Sequence, residues 1–120
     1  MKVVINISKS FKRLAKPLMK KFSSLNKDLL QLEKDLIDNP KLGKSLGHNL
    51  YKIRLAVESK GKGKSGGLRV ISYLDTEIIG VIETEDELII ITLIAIYDKS
   101  ETASITEKEL RNLINRIQNE

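Results

Sequence analysis

The chain has 120 residues, with 21 Lys and Arg against 16 Asp and Glu, and a formal net charge of +5. This length suits one domain with a modest core and is too short for two, so we expect a single domain over residues 1–120. The absence of cysteine excludes a disulfide framework, a thiolate metal site and a cysteine nucleophile. The longest apolar run, residues 88–97, is about half of what a membrane helix needs, so we expect a cytoplasmic protein with no membrane contact.

The charge is unevenly distributed along the chain. Residues 1–74 contain 17 basic and 5 acidic residues, whereas residues 75–120 contain 4 and 11. A basic segment of this kind is typical of a protein that binds a polyanion, because phosphate neutralisation dominates nonspecific affinity for nucleic acid. A solvated, lysine-rich surface is the alternative interpretation.

The N-terminal third predicts a strand followed by two helices. Apolar residues alternate over residues 2–8 and favour a strand. A serine cap then precedes a helical apolar pattern over residues 11–22, in which Pro17 either introduces a kink or marks the first turn. A second helix is predicted over residues 24–38, because Asn39-Pro40 ends the pattern. The two helices should form a hairpin.

A run rich in glycine and lysine follows the next predicted strand. Residues 50–57 alternate so that Lys52 and Arg54 share one face. In the run Lys60-Gly61-Lys62-Gly63-Lys64-Ser65-Gly66-Gly67, glycines let backbone N–H groups turn toward an anion while lysines supply charge. It is not a Walker loop, because Glu58 stands in place of the first Gly and a strand follows. The run predicts phosphate contact, with a solvated hairpin loop as the alternative.

The C-terminal half predicts the rest of a sheet and a final helix. Residues 68–75 form the next strand, and residues 77–82 followed by 87–97 supply the remaining strand or strands. A Thr-x-x-Glu capping box at Thr106 begins a helix that runs to Gln118. The order β-α-α-β-β-β-α predicts an α+β domain. We expect an antiparallel sheet of about four strands, with the N-terminal helix hairpin and the C-terminal helix packed on one side of it.

Five segments carry a family resemblance that covers nearly the whole chain. They are Phe11-Lys12-Arg13-Leu14-Ala15-Lys16, Asp38-Asn39-Pro40 with Leu42-Gly43, Tyr51-Lys52-Ile53-Arg54-Leu55, Lys62 to Ile71, and Ile96-Tyr97-Asp98-Lys99-Ser100-Glu101. Together they resemble the RelE/ParE toxin superfamily of bacterial type II toxin–antitoxin modules, in its HigB-like/RelE-like branch. The resemblance implies a RelE-like fold and a ribosome-dependent, metal-independent endoribonuclease, an mRNA interferase that cleaves translated messenger RNA. It also implies no cofactor, and as partners the ribosome, messenger RNA and a cognate antitoxin.

Metal-free RNA cleavage requires a base for the 2′-hydroxyl, cations that stabilise the phosphorane, and an acid for the departing 5′-oxygen. Arg69 is the first candidate for phosphate stabilisation, because its guanidinium can hold two phosphate oxygens from the start of a strand. Arg54 is the second candidate, with an exposed ion-pairing residue as the alternative. Lys64 is a candidate base, and Tyr97 can donate a proton, stack on a nucleobase or pack in the core. Lys99 stands where the resemblance implies a catalytic cation.

Other basic and aromatic residues are candidates for RNA contacts. Lys52, Lys62 and Lys64 are candidates for the base or for orienting the RNA backbone. A lysine acts as a base only where burial or neighbouring cations lower its pKa, and clustering with the two arginines would do this. Tyr73 can stack on a nucleobase, donate a proton or pack in the core. His48 lies away from the matching segments, and we interpret it as a loop residue. The predicted RNA-binding residues are Lys52, Lys60, Lys62, Tyr73, Lys16 and Lys20.

Two other functions stay open. A ParE-like toxin would inhibit gyrase through protein contacts, although the glycine- and lysine-rich run and the basic cluster count against it. A degenerate toxin would bind RNA or an antitoxin without cleaving. In Thr102-Ala103-Ser104-Ile105 the chain has no tyrosine or arginine where some members of the family carry a catalytic one, so cleavage would have to use Tyr97 or be slower.

Overall fold

The structure is a computed structural model that describes residues 2–61, 67–79, 86–100 and 106–118. Within these ranges it contains three α-helices and one five-stranded sheet, which confirms the α+β class. The elements in chain order are β1 (Lys2–Ile7), α1 (Lys9–Lys21), α2 (Leu25–Asp38), β2 (Lys44–Gly47), β3 (Leu50–Leu55), a short 3₁₀ helix (Glu58–Lys60), β4 (Leu68–Ile79), β5 (Asp86–Asp98) and α3 (Glu107–Gln118).

The helix hairpin forms where the sequence pattern predicts it. The Ser8 hydroxyl accepts a 3.1 Å hydrogen bond from the backbone N–H of Phe11 and so caps α1. Pro17 lies well inside α1, not in its first turn. The second helix ends at Asp38, and the backbone N–H of Asn39 donates to the carbonyl of Asp35 at 2.9 Å, which satisfies one terminal acceptor before the proline.

The sheet is mixed and has five strands, so the prediction of an antiparallel sheet of four strands is wrong. The strand order is β1-β5-β4-β3-β2, and β1 runs parallel to β5 while the other neighbours are antiparallel. Local periodicity does not show which distant strand β1 joins. Residues 77–79 belong to β4, which continues without a break from Leu68. The additional strand, β2, has the sequence Lys-Ser-Leu-Gly, whose single apolar residue gives no alternation to detect.

Helices cover both faces of the sheet, whereas the sequence pattern predicts them on one side. Val70 of β4 belongs to a core formed with α1 and α2, and the next residue, Ile71, belongs to a second core with Leu110 and Leu113 of α3. Since successive strand residues point to opposite faces, α3 packs opposite the helix hairpin. The apolar stripe of α3 shows that one side of the helix is buried but does not show which sheet face it covers.

A β-bulge in β5 lies under α3 and changes which residues of the strand face that helix. The register pairs Ile71 with Ala95 and Ser72 with Leu93, so Ile94 has no partner residue on β4. The extra residue lets Ile94 and Ala95 both enter the α3 core.

Candidate functional site

The strand register brings three of the predicted catalytic residues into one row. Arg54 of β3 lies opposite Arg69 of β4, and Arg69 lies opposite Tyr97 of β5. Directly opposed residues of antiparallel strands project from the same face with their Cβ atoms about 4.5–5.5 Å apart. All three side chains therefore lie on the α3 face of the sheet, at the end where β4 begins and β5 ends.

Three lysines add to this row and complete the cationic cluster, which we define as Lys44, Lys52, Arg54, Arg69 and Lys99. Lys52 lies two residues before Arg54 on the same face, and Lys44 of β2 lies opposite it. Burial lowers the pKa of Lys52, and the positive charges of Lys44, Lys99, Arg69 and Arg54 lower it further. Like charges that face each other across a sheet destabilise it, so the fold keeps these cations together against their mutual repulsion.

The two arginines of the cluster differ in exposure. Arg69 is only 3% exposed, and its Nη1 donates to the carbonyl of Leu68 at 3.3 Å. Arg54, its cross-strand neighbour, is exposed. A phosphate group bound by the exposed guanidinium of Arg54 would also be attracted by the positive charge of the buried Arg69 beside it.

The two tyrosines of the α3 face have different surroundings. Tyr97 is half-buried next to Arg69 and forms part of a cavity between α1 and α3. Tyr73 is half-buried opposite Leu50 and packs against the α3 core. The stacking on RNA predicted for Tyr73 stays a prediction, and its observed contacts are those of a packing residue.

Lys60, predicted to contact RNA, is not part of the cluster. Its Nζ lies 2.7 Å from Oδ2 of Asp98 and 5.4 Å from the centroid of the Phe22 ring. Asp98 lies opposite Leu68, a residue of the core formed with α1 and α2. The side chains of Lys60 and Asp98 are 13% and 2% exposed, so this is an ion pair largely removed from water. Contact of Lys60 with RNA would require this pair to break.

Asp98 also fixes the turn that contains Lys99. The backbone N–H and the hydroxyl of Ser100 both donate to Oδ1 of Asp98, at 3.0 and 2.7 Å. Burial by itself raises the pKa of Asp98, but the hydrogen bonds from Lys60 and Ser100 outweigh this effect and lower the pKa to about 2. The carboxylate therefore stays charged while it holds the chain on either side of Lys99.

The remaining predicted residues lie apart from the cluster or outside the described ranges. Lys16 and Lys20 are exposed on α1, where they border a groove between α1 and α2. Lys62 and Lys64 lie outside the described residues, and their roles stay predictions. His48 is exposed in the turn between β2 and β3, as the loop interpretation requires.

The sequence pattern does not single out Lys44, because it does not predict β2. A usable signal lies in the flanking turn, where His48 and Asn49 both have positive φ, 53° and 63°. A two-residue hairpin loop of type I′ needs positive φ at both central positions, and Asn and His tolerate it better than most residues. Reading Gly47-His48-Asn49 as a hairpin would have placed Lys44 opposite the strand that carries Lys52.

An acidic wall bounds the cluster on one side. A groove of about 950 Å³ lies between α2 and β3, with Lys44, Lys52 and Arg54 on one wall and Asp28 and Asp35 on the other. A polyanion would be repelled from the helical wall, so its favourable approach is over the α3 face instead of along this groove.

No protein-family model, curated protein or solved structure matches this chain at significant similarity. The family resemblance of the five sequence segments therefore stays a prediction. No helix in the described part of the chain is long and apolar enough to cross a membrane. Over the same ranges, no three His, Asp or Glu side chains are grouped closely enough to hold a metal ion.

Proposed function

We propose that the protein is a RelE-like toxin, a ribosome-dependent and metal-independent endoribonuclease that cleaves translated messenger RNA. The observation that supports this most directly is the row of Arg54, Arg69 and Tyr97 on one sheet face, beside a lysine of lowered pKa. These are the side-chain types that metal-free cleavage of a phosphodiester requires, gathered at one end of one face.

Lys52 is the base that the electrostatics favour. Its lowered pKa gives it a larger neutral fraction than an ordinary lysine has, and a neutral amine can accept the proton of the 2′-hydroxyl. The 2′-oxygen attacks phosphorus, and Arg54 and Arg69 stabilise the charge that develops on the phosphorane oxygens. The bond to the 5′-oxygen then breaks, and the hydroxyl of Tyr97 gives its proton to that oxygen. The products are a 2′,3′-cyclic phosphate and a free 5′-hydroxyl.

A cognate antitoxin is the proposed protein partner, and it acts by covering the cationic face. The cluster offers five basic side chains, of which Lys44, Arg54 and Lys99 are exposed. An acidic antitoxin segment would be drawn to this face by long-range attraction, which raises the association rate and weakens with added salt.

The test is to express the chain and its Arg54→Ala variant in bacteria and to map messenger 5′ ends across the transcriptome. Arg54 is the better target than Arg69, because Arg54 is exposed whereas loss of the buried Arg69 side chain would also disturb packing. Cuts at defined positions within translated regions that the variant loses would support the proposal. Lys34→Ala, which removes an exposed lysine of α2, is the matched control and should cleave normally.

Two other outcomes would overturn the proposal. Growth arrest with intact messengers and accumulating DNA breaks would assign the protein to the gyrase-directed toxins. A well-expressed protein that neither arrests growth nor cuts messengers would be a binding module without catalysis.

A further inference from the structure

A cavity of about 300 Å³ lies next to the cationic cluster, between α1 and α3. Its floor is the end of β5, including Ala95 and Tyr97. The described pairing of β1 with β5 ends at residue 93 of β5, although β5 continues to Asp98. Beyond that point α1 lies beside β5, and the cavity forms between them and α3. Leu14 of α1 contacts the cores on both faces at this point.

The cavity combines an apolar interior with a polar rim. Tyr97 and the buried Leu113 supply aromatic and aliphatic contacts. Asn112 offers both an amide donor and a carbonyl acceptor, and Glu109 offers acceptors only. The two arginines of the rim, Arg13 and Arg116, offer donors only. A flat heterocycle with donors and acceptors on its edge matches this lining. An inorganic anion would not use the apolar floor, and an aliphatic ligand would not use the rim.

We propose that this cavity binds one nucleobase of the RNA strand whose phosphate lies on the cationic cluster. The identification of the ligand as RNA rests on the proposed function. Tyr97 joins the two sites, because it is part of the cavity and lies directly opposite Arg69 on the sheet. A nucleotide whose base stacks on Tyr97 therefore has its own or its neighbour's phosphate within reach of the arginine.

Residues of α3 that the cleavage chemistry does not use would recognise the base. Asn112 and Glu109 contact the edge of the base, and they set which bases are accepted, because a wrong edge leaves their polar groups unpaired. They are specificity residues, whereas the charges of Arg54 and Arg69 attract the backbone of any sequence.

The test compares two uncleavable probes, a 2′-O-methyl trinucleotide and a trinucleotide of the same length that lacks its bases. Stacking and edge contacts add about 1–3 kcal/mol for a bound base, which is about 5- to 150-fold in affinity. We expect the protein to bind the base-containing probe tighter by a factor in this range. In NMR titrations, only that probe should shift the resonances of Tyr97 and of the α3 residues that face the cavity.

The decisive variant is Asn112→Phe, which fills the cavity from an exposed helix position. It should reduce binding of the base-containing probe to the level of the probe without bases, whose own affinity stays unchanged. Asn115→Phe is the matched control, because Asn115 is exposed on the same helix and is not part of the cavity lining. This control should bind both probes as the unmodified protein does.

The outcomes separate this inference from the proposed function. Equal affinity for the two probes, unaffected by Asn112→Phe but lost in Arg54→Ala, would overturn the nucleobase site and leave the nuclease proposal standing. A base-dependent affinity that Asn112→Phe removes, in a protein that cuts no messenger in cells, would support the site and overturn the nuclease. Binding of neither probe would overturn the nucleobase site.

Discussion

Lys60, in the 3₁₀ helix that follows β3, and Lys52, within β3, have opposite electrostatic surroundings. Lys60 is paired at 2.7 Å with Asp98 and lies over the ring of Phe22. Lys52, on the α3 face, is half-buried; burial lowers its pKa, and four other cations lower it further. The charge of Lys60 is therefore balanced by a carboxylate. The charge of Lys52 is disfavoured both by partial removal from water and by the cations around it.

The difference separates a charge pair that holds the fold together from a group of charges that is a candidate ligand site. A buried ion pair with its hydrogen bonds satisfied is a structural element, and breaking it by removing one partner is costly. A group of like charges on one face opposes folding, and a pKa lowered by burial and such neighbours, as at Lys52, marks a candidate functional site. The comparison predicts opposite signs for the removal of charge on the two faces.

The largest effect is expected from breaking the ion pair on the α1 and α2 face. Asp98→Asn leaves the buried ammonium of Lys60 without its counter-charge, and we expect it to lower the free energy of unfolding by about 3–5 kcal/mol. Lys60→Met should have a smaller effect, because Ser100 still donates two hydrogen bonds to the Asp98 carboxylate. Urea denaturation monitored by circular dichroism measures both.

The double variant, Lys60→Met with Asp98→Leu, controls for the loss of each side chain. It should be less destabilised than the sum of the single changes, since no charge is left buried without a partner. Additive effects would mean that the two residues act separately, and the contrast with Lys52 would lose its basis.

Gly43 offers a test of how the cationic cluster is positioned. Its φ is +102°, and a Cβ at this position would lie 2.5 Å from the carbonyl oxygen of Lys52. Gly43→Ala should cost about 2–4 kcal/mol, because it adds a steric clash to backbone strain. It should also displace Lys44, the next residue, from its place opposite Lys52. The free energy of unfolding and the affinity for the base-free trinucleotide measure the two effects.

Gly47→Ala is the matched control. Gly47 has a similar φ of +82°, but a Cβ there would meet nothing within 4 Å. The control should show the backbone strain alone, about 1–2 kcal/mol. Equal losses in the two variants would contradict the importance of the close approach to β3.

Acid should lower the free energy of unfolding by protonating Asp98, the partner of Lys60. The pKa of Asp98 is about 2 in the folded protein, below its ordinary value of 3.8. The unfolded chain therefore binds more protons between these values, and the stability from this carboxylate, about 2 kcal/mol, is present above pH 4 and lost as pH falls through 2. Asp98→Asn should remove this part of the pH dependence from denaturation curves recorded between pH 5 and 2. An unchanged acid slope would show that other carboxylates carry it.

The sequence predicts much of this arrangement and misses parts for identifiable reasons. Alternation along residues 50–57 predicts that Lys52 and Arg54 share a face, and the structure places them so. The opposition of Arg54, Arg69 and Tyr97 depends on the register of three strands, and local alternation does not determine that register. The pairing of Lys60 with Asp98 joins residues 38 positions apart, and the glycine-rich surroundings of Lys60 suggest a ligand contact instead.

The smallest effect, and the one of opposite sign, is expected at Lys52. Lys52→Met keeps the length of the side chain and removes a charge that burial and four cations disfavour, so the protein should become more stable by about 0.5–1 kcal/mol. Because the pKa is lowered in the folded protein, this penalty is fully present at low pH, where Lys52 is protonated in both the folded and the unfolded states. It should shrink as pH rises toward 10.5, the ordinary value, since the folded protein then releases the proton first.

The same variant should lose messenger cleavage, so stability and activity would change in opposite directions. Lys27→Met is the control: Lys27 is exposed and pairs at 3.2 Å with Glu58, an exposed ion pair whose loss should change stability very little. A destabilised Lys52→Met protein would mean that Lys52 contributes to packing or to an attractive contact. The two faces of the sheet would then treat their lysines alike, and the strongest physical reason for placing an anionic ligand on the α3 face would be lost.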